Sequence, residues 1–189
     1  MSPDELDRHA QRLLAAHALP AGDARAVAAL LARCTARRQG TGDVLFREGE
    51  DARDLLFMLE GRARVLKRDH AGRDREIGSW YPPAVLGGLA SVDSGPRSAT
   101  CVIAAPSLIA VLDGETARRL LGEASVEGAH LRWLLLATAA ETLADTTGHL
   151  RDALAAAPNL RADAGAGAAE ASSSPQLDRL HALIERART

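Results

Sequence analysis

The sequence is poor in cysteine and in aromatic residues. Its 189 residues include two cysteines, two tryptophans, one tyrosine and two phenylalanines. Cys34 and Cys101 are too few for a disulfide framework or a tetrahedral zinc site. Two distant cysteines also disfavour an iron–sulfur cluster. We therefore expect no metal site, and nothing indicates an oxidising compartment.

The sequence also has no large excess of positive or negative charge. Lys and Arg together number 23 against 25 Asp and Glu, which gives a formal net charge of −2. Binding to nucleic acid through phosphates needs a basic surplus, so no nucleic-acid partner is expected. The N-terminus does not resemble a signal peptide, and no apolar run reaches about 18 residues. The sequence predicts a cytoplasmic protein that does not enter a membrane.

Motifs of enzyme active sites are absent as well. Ser91 and Ser94 do not lie in a Gly-x-Ser-x-Gly turn, and neither cysteine has a neighbouring base in the sequence. No two histidines have the His-x-x-x-His spacing of zinc enzymes; they are His9, His17, His70, His130, His149 and His181. We therefore predict no catalytic residues, no metal ligands, no cofactor and no enzymatic activity.

Hydrophobic periodicity divides the chain into helical and strand regions. Residues 1–34 repeat apolar side chains at helical spacing around a break at residues 20–22, which predicts two helices. Residues 35–113 contain short apolar or alternating runs about ten residues apart, separated by glycines, as in an antiparallel sandwich or jelly roll. Within this region, basic side chains are expected on solvent-facing positions: Arg62, Arg64, Lys67 and Arg68.

A short and a long helix are predicted over residues 114–155. The long helix, residues 125–155, carries apolar and small residues at alternating spacings of four and three: Ala129, Trp133, Leu136, Ala140, Leu143, Thr147, Leu150 and Leu154. This heptad pattern predicts a parallel homodimer formed through the helix. An alternative is that the first two turns of the stripe pack on strands of the same chain.

The C-terminal residues form two further segments. Residues 156–174 are rich in alanine, serine and glycine and contain one large apolar residue, Leu160, which predicts a flexible linker. Ser174 is suited to cap a short helix over residues 175–189, whose apolar face consists of Leu177, Leu180, Leu183 and Ile184. This tail either folds back on its own domain or stays partly formed, or it docks on an unidentified protein partner.

A candidate ligand site lies between the predicted strands. Gly87 and Gly88 allow close approach of backbone to a ligand, and a helical turn after them would present free N–H groups to an anion. Arg97 can fork onto a phosphate, and the Ser98 hydroxyl adds a donor. The pattern favours a small phosphorylated ligand. The alternative is that Arg97 is a solvated loop residue.

Three motifs in sequence order resemble the cyclic nucleotide-binding domain family: residues 42–50, residues 56–65 and residues 96–100. The resemblance covers about residues 20–155. It implies an α+β fold with an antiparallel β jelly roll, N-terminal helices and a long C-terminal dimerisation helix. It also implies a bacterial signalling protein that binds cAMP or cGMP, with Arg97 on the cyclic phosphate and Ser98 beside it.

The sequence departs from the family pattern at one position of the expected site. The acidic residue that accepts hydrogen bonds from the ribose is replaced by Gly88, while Leu89 and Ala90 fit the pattern. Loss of one or two charge-assisted hydrogen bonds of about 1.5–3 kcal/mol each predicts affinity lower by about one to four decades. In the catabolite activator protein of this family the long helix also contacts the base, and Thr142 is the corresponding candidate here.

These observations leave three alternatives for function. The domain binds a cyclic nucleotide with weakened or altered specificity, it binds a different anionic ligand, or its pocket is vestigial and it serves as a dimeric scaffold or targeting protein. A helix-turn-helix domain is not evident after the long helix. We therefore expect a solitary regulatory sensor that acts in trans on a protein partner.

Overall fold

The computed structural model describes residues 1–17, 24–88, 90 and 95–156. Its helices and strands follow the predicted order of two helices, a β region and two further helices. The helices are α1 (Pro3–Ala16), α2 (Ala24–Ala32), α3 (Gly114–Gly122) and α4 (Val126–Ala156). The strands are β1 (Thr35–Gln39), β2 (Val44–Phe46), β3 (Asp54–Arg68), β4 (Asp74–Trp80), β5 (Ala84–Leu86) and β6 (Thr100–Asp113).

The strands pair antiparallel in one sheet. Its order is β1-β6-β3-β4, with β2 also on β6 and β5 also on β3. The long pairing between β3 and β6 runs from Asp54 opposite Asp113 to Leu66 opposite Thr100. The predicted α+β fold, with an antiparallel β domain, N-terminal helices and a long C-terminal helix, is confirmed.

Helix α1 begins where the sequence provides a complete cap. The Glu5 backbone N–H donates to Ser2 Oγ, and the Ser2 backbone N–H donates to Glu5 Oε2 at 2.6 Å, with Pro3 in the first turn. This reciprocal pair satisfies backbone donors that a helix start leaves open. The helix then buries Leu13 and Leu14 against α2.

Strand β3 separates two apolar clusters. Side chains on a strand alternate between its faces. Leu55, Phe57 and Leu59 therefore face the cluster that contains residues of all four helices. Leu56 and Met58 face the other cluster, which holds residues of β5 and β6 and lies on the side of β2.

The chain divides into two compact units, Met1–Leu143 and Ala144–Thr189. The part of helix α4 that belongs to the first unit has a buried and an exposed side. Leu131 and Leu134 are fully buried. The predicted heptad stripe is exposed instead at Ala129, Trp133, Leu136, Ala140 and Leu143. The alternative that the first two turns of this stripe pack on strands of the same chain is therefore wrong, because Leu131 and Leu134 provide the packing face.

In the second unit, residues 144–156 continue the helix. The predicted tail over residues 175–189 lies outside the described residues, as does the predicted linker apart from Ala156. None of the described helices combines the length and the apolar character needed to cross a membrane.

Candidate functional site

The cassette, as we call residues 87–98, begins directly after β5. Gly87 has φ of +67°, a conformation that glycine adopts without steric cost, and Gly88 has helical backbone. Ala90 is half-buried, whereas Leu89 lies outside the described residues together with residues 91–94. The cassette resumes at Gly95 and leads into β6.

The end of the cassette is fixed by backbone pairing with the segment after β2. The Arg97 backbone N–H donates to Glu50 O at 2.7 Å, and the Gly49 N–H donates to Arg97 O at 2.9 Å. Pro96 also pairs with Asp51 as an isolated bridge. These contacts set the direction of the Arg97 side chain.

Arg97 points into the protein and is 5% exposed. Its Nη1 donates to Gly87 O at 3.0 Å, and its Nη2 donates to Asp54 O at 2.6 Å. The guanidinium carbon also lies 4.4 Å from the centroid of the Phe46 ring, within cation–π range. The alternative of a solvated loop arginine is therefore wrong.

Burial lowers the pKa of the Arg97 guanidinium, because desolvation disfavours the charged form, while the Asp54 carboxylate acts in the opposite direction. An arginine nevertheless stays protonated in proteins. The site therefore holds a cation away from water. An anion bound beside it would offset part of the desolvation cost.

The neighbouring cysteine is unsuited to chemistry. Burial raises the pKa of the Cys101 thiol to about 12, with a smaller opposing effect of Arg97. Burial alone raises the pKa of the Cys34 thiol to about 12 as well. A thiol that stays protonated at neutral pH is a poor nucleophile.

The two glycines are close to different neighbours. A Cβ on Gly87 would collide with Arg97 Nη1. A Cβ on Gly88 would lie 2.8 Å from Leu135 Cδ2 of α4 and 3.8 Å from Val85. The position that lacks the family's carboxylate therefore packs against the long helix, and a larger side chain there requires Leu135 to move.

Ser98 is exposed, in contrast to Arg97. Its carbonyl oxygen accepts a 2.6 Å hydrogen bond from Lys67 Nζ, which also lies 2.8 Å from Glu48 Oε1. Lys67 holds the pKa of the Glu48 carboxyl below its usual value, assisted by the backbone N–H of Arg68. The structure thus brings Gly87 and Arg97 into contact, buries Gly88, leaves Ala90 half-buried and exposes Ser98.

Thr142 lies on α4, where its Oγ1 donates to Thr138 O at 2.8 Å. This contact stays within the helix. A contact of Thr142 with a ligand base remains a prediction from the resemblance.

Four residues of the site were missed by sequence reasoning. Asp54 contributes a backbone carbonyl, Phe46 contributes a ring, Leu135 contacts the cassette, and Lys67 contacts Ser98. A carbonyl acceptor leaves no signal in the sequence, because every residue carries one. Phe46 lies in one of the recognised motifs, but its ring direction depends on strand register. Among the described residues, no three His, Cys, Asp or Glu side chains are grouped to hold a metal ion.

Comparisons with known proteins find relatives of the fold. Residues 37–124 match the family model of the cyclic nucleotide-binding domain. The N-terminal domain of a transcriptional regulator from Streptomyces coelicolor is 24% identical with a TM-score of 0.52, over 66% of this chain and 84% of that one. The c-di-GMP-responsive global regulator of Xanthomonas campestris is 21% identical with a TM-score of 0.60, over 82% and 77%.

The catabolite activator protein of Thermus thermophilus is 21% identical with a TM-score of 0.50. The match covers 72% of this chain and 59% of that protein, so the chain spans less than two thirds of it. None of the curated protein sequences matches significantly. At these identities the neighbours establish the fold, and the match to the family model is confined to residues 37–124, somewhat less than half of the chain.

Proposed function

We propose that the chain is a non-enzymatic, cytoplasmic regulatory sensor that binds a small phosphate-bearing ligand, such as cAMP, cGMP or a related anion, in the cassette. The observation that carries this proposal is the buried guanidinium of Arg97, 5% exposed and within 3.0 Å of Gly87 O. A cation held out of water beside a glycine turn suits an anion that reaches the same turn.

We expect binding to be weak or altered in specificity. Arg97 has five N–H donors, and those that point to Gly87 O and Asp54 O serve a phosphate only if these contacts break. The gain from a phosphate contact is therefore smaller than for an arginine without these contacts. Gly88 provides no carboxylate for a ribose and lies against Leu135 instead. The missing carboxylate favours ligands recognised mainly through their phosphate.

The output of the sensor is proposed to be a homodimer that contacts a protein partner in trans. The exposed stripe of α4 supports this proposal, because Trp133, Leu136 and Leu143 are 51%, 64% and 56% exposed. Large apolar side chains at heptad spacing are typical of helix pairing. The net charge of −2 argues against nucleic acid as the partner.

The proposal is tested by thermal melting against cyclic mononucleotides, cyclic dinucleotides, linear nucleotides and inorganic phosphate. A ligand at about 100 times its Kd stabilises the folded state by about 2.7 kcal/mol, which raises Tm by several degrees. Arg97→Met keeps the length and apolar contacts of the side chain and removes its charge, so we expect the ligand-induced rise to disappear.

Arg62→Met is the matched control, because Arg62 is exposed on β3 of the same domain. Its ligand-induced rise in Tm should equal that of the wild type. Charge reversal at Arg97 is the poorer test, since it would place a carboxylate against the carbonyl oxygens of Gly87 and Asp54. An equal rise in wild type and Arg97→Met would contradict the phosphate site.

A second candidate function is a dimeric scaffold or targeting protein with a vestigial pocket. The observation that favours it is that Arg97 is already held by two carbonyl oxygens and the Phe46 ring. It predicts no response to any compound of the panel. It also predicts a dimer in sedimentation that Leu136→Lys converts to monomer, because a charge on the stripe opposes pairing.

A further inference from the structure

We propose that His17 and Glu141 form a latch that holds α4 against the end of α1, and that opening this latch is the step by which α4 changes position. The inference deepens the proposed function, and its regulatory meaning rests on that function. The contact itself is defined by residues of the first unit alone.

The two side chains meet across helices that are distant in sequence. His17 Nδ1 lies 3.0 Å from Glu141 Oε1. Because a carboxylate only accepts hydrogen bonds, the ring must donate through Nδ1–H. The His17 side chain is 4% exposed and the Glu141 side chain 49% exposed. One partner is therefore fixed in the interior, while the other stands at the rim and can leave.

The buried partner is incompletely satisfied. His17 Nε2 is buried, and no described residue of the chain forms a hydrogen bond with it. A buried polar atom without a partner costs free energy of the same order as a hydrogen bond contributes. The burial of Nε2 is the same whether the latch is closed or open, so the closed state is favoured by the single contact at Nδ1. One hydrogen bond to a half-exposed carboxylate is a small barrier to opening, as a switch requires.

The latch lies where α4 emerges from the packed unit. Upstream, Arg132 Nη1 donates to Leu121 O at 2.7 Å and to Glu123 O at 3.0 Å, which ties the helix to the end of α3. Downstream of Thr138, residues 140, 141 and 143–147 are exposed. Leu135, which lies against Gly88 of the cassette, is situated between these two anchors. Release at Glu141 therefore loosens the stretch that contacts the cassette.

The test is amide hydrogen exchange of the full chain, measured by mass spectrometry. Glu141→Ala removes the acceptor without lowering helix propensity, and His17→Phe removes both ring nitrogens and keeps the ring packing. We expect exchange over residues 139–143 to become about tenfold faster in both variants, equivalent to about 1.4 kcal/mol. Exchange over residues 128–134 should stay unchanged.

Glu127→Ala is the matched control, because this carboxylate lies on the same helix, 3.8 Å from Arg33 Nη2. It should leave exchange over residues 139–143 at the wild-type rate. A histidine with a purely structural role would lower Tm in His17→Phe, whereas a latch predicts an equal or higher Tm, since the unsatisfied nitrogen is removed. Unchanged exchange over residues 139–143 in both variants, or a uniform increase along α4, would overturn the latch. The exchange experiment needs no ligand, so it still tests the latch if none of the compounds in the thermal-melting panel binds.

Discussion

Arginines in two parts of the molecule, the cassette and the β3–β4 hairpin, show how burial decides what the same side chain does. In the cassette, Arg97 is 5% exposed and its guanidinium contacts the backbone carbonyls of Gly87 and Asp54. In the hairpin of β3 and β4, Arg64 and Arg68 are exposed and lie 3.7 and 3.6 Å from carboxylates across the turn. The first is a fixed cation with a defined direction, and the second are solvated members of a charge pattern.

The two kinds of arginine also contribute differently to the free energy of unfolding. Ion pairs on a surface contribute little, because water and salt screen both partners. A buried guanidinium is costly to desolvate and depends on each of its contacts. The comparison therefore predicts large effects of substitution in the cassette and small effects in the hairpin.

The largest effect is expected for Arg97→Met compared with Arg64→Met. Removal of the buried guanidinium abolishes two hydrogen bonds and the contact with Phe46, so the free energy of unfolding should fall by about 2–3 kcal/mol. Arg64→Met should change it by less than about 0.5 kcal/mol. Urea denaturation measures both. Similar losses in the two variants would remove the distinction between the regions.

An intermediate effect is expected for Gly87→Ala. The residue has φ of +67°, and a Cβ there meets Arg97 Nη1. The left-handed conformation costs a non-glycine residue about 1–2 kcal/mol, and displacement of Arg97 adds to this. Gly72→Ala at the hairpin turn, with φ of +75° and open space around it, is the control for the conformational part alone. Urea denaturation should show a greater loss of unfolding free energy for Gly87→Ala than for Gly72→Ala. Equal losses would show that Arg97 moves aside without an energetic penalty.

The smallest effect concerns Asp69 at the tip of the hairpin. Backbone donation from Arg73 and the Arg75 side chain hold the pKa of this carboxyl below its usual value of 3.8. In the unfolded chain this carboxyl has its usual pKa of 3.8, so its contribution to the stability of the folded state is complete above that pH. The contribution is lost as the pH falls through the lower pKa of the folded state. Asp69→Asn should lower Tm slightly at pH 6, and this difference should shrink as the pH falls below 3.8. A constant difference across this range would contradict the assignment.

Much of the fold could be predicted because it depends on local pattern. The helical spacing within residues 1–34, the alternation in β3 and the heptad spacing in α4 each follow from the geometry of a single element. Predicted exposure of Arg62, Arg64, Lys67 and Arg68 is confirmed for the same reason. What failed was the alternative in which the heptad stripe packs on the chain's own strands, because periodicity identifies a face without identifying its neighbour.

The candidate site was predictable in part. Gly87, Gly88 and Arg97 could be chosen from the sequence, since the cassette is continuous in the chain. The partners of these residues could not, because Asp54, Phe46 and Leu135 reach the cassette from β3, β2 and α4. Their proximity depends on strand register and on how a helix packs, and both are set by contacts across long sequence separations.

The sequence by itself determined the class of the domain, the order of its helices and strands and the cation at its candidate site, because these depend on residue types and spacings along the chain. Only the tertiary structure decided that Arg97 turns inward, that Gly88 lies against Leu135 and that His17 meets Glu141. The physical reason is that the direction of a side chain and its burial are properties of packed surfaces, which form when distant segments of the chain come together.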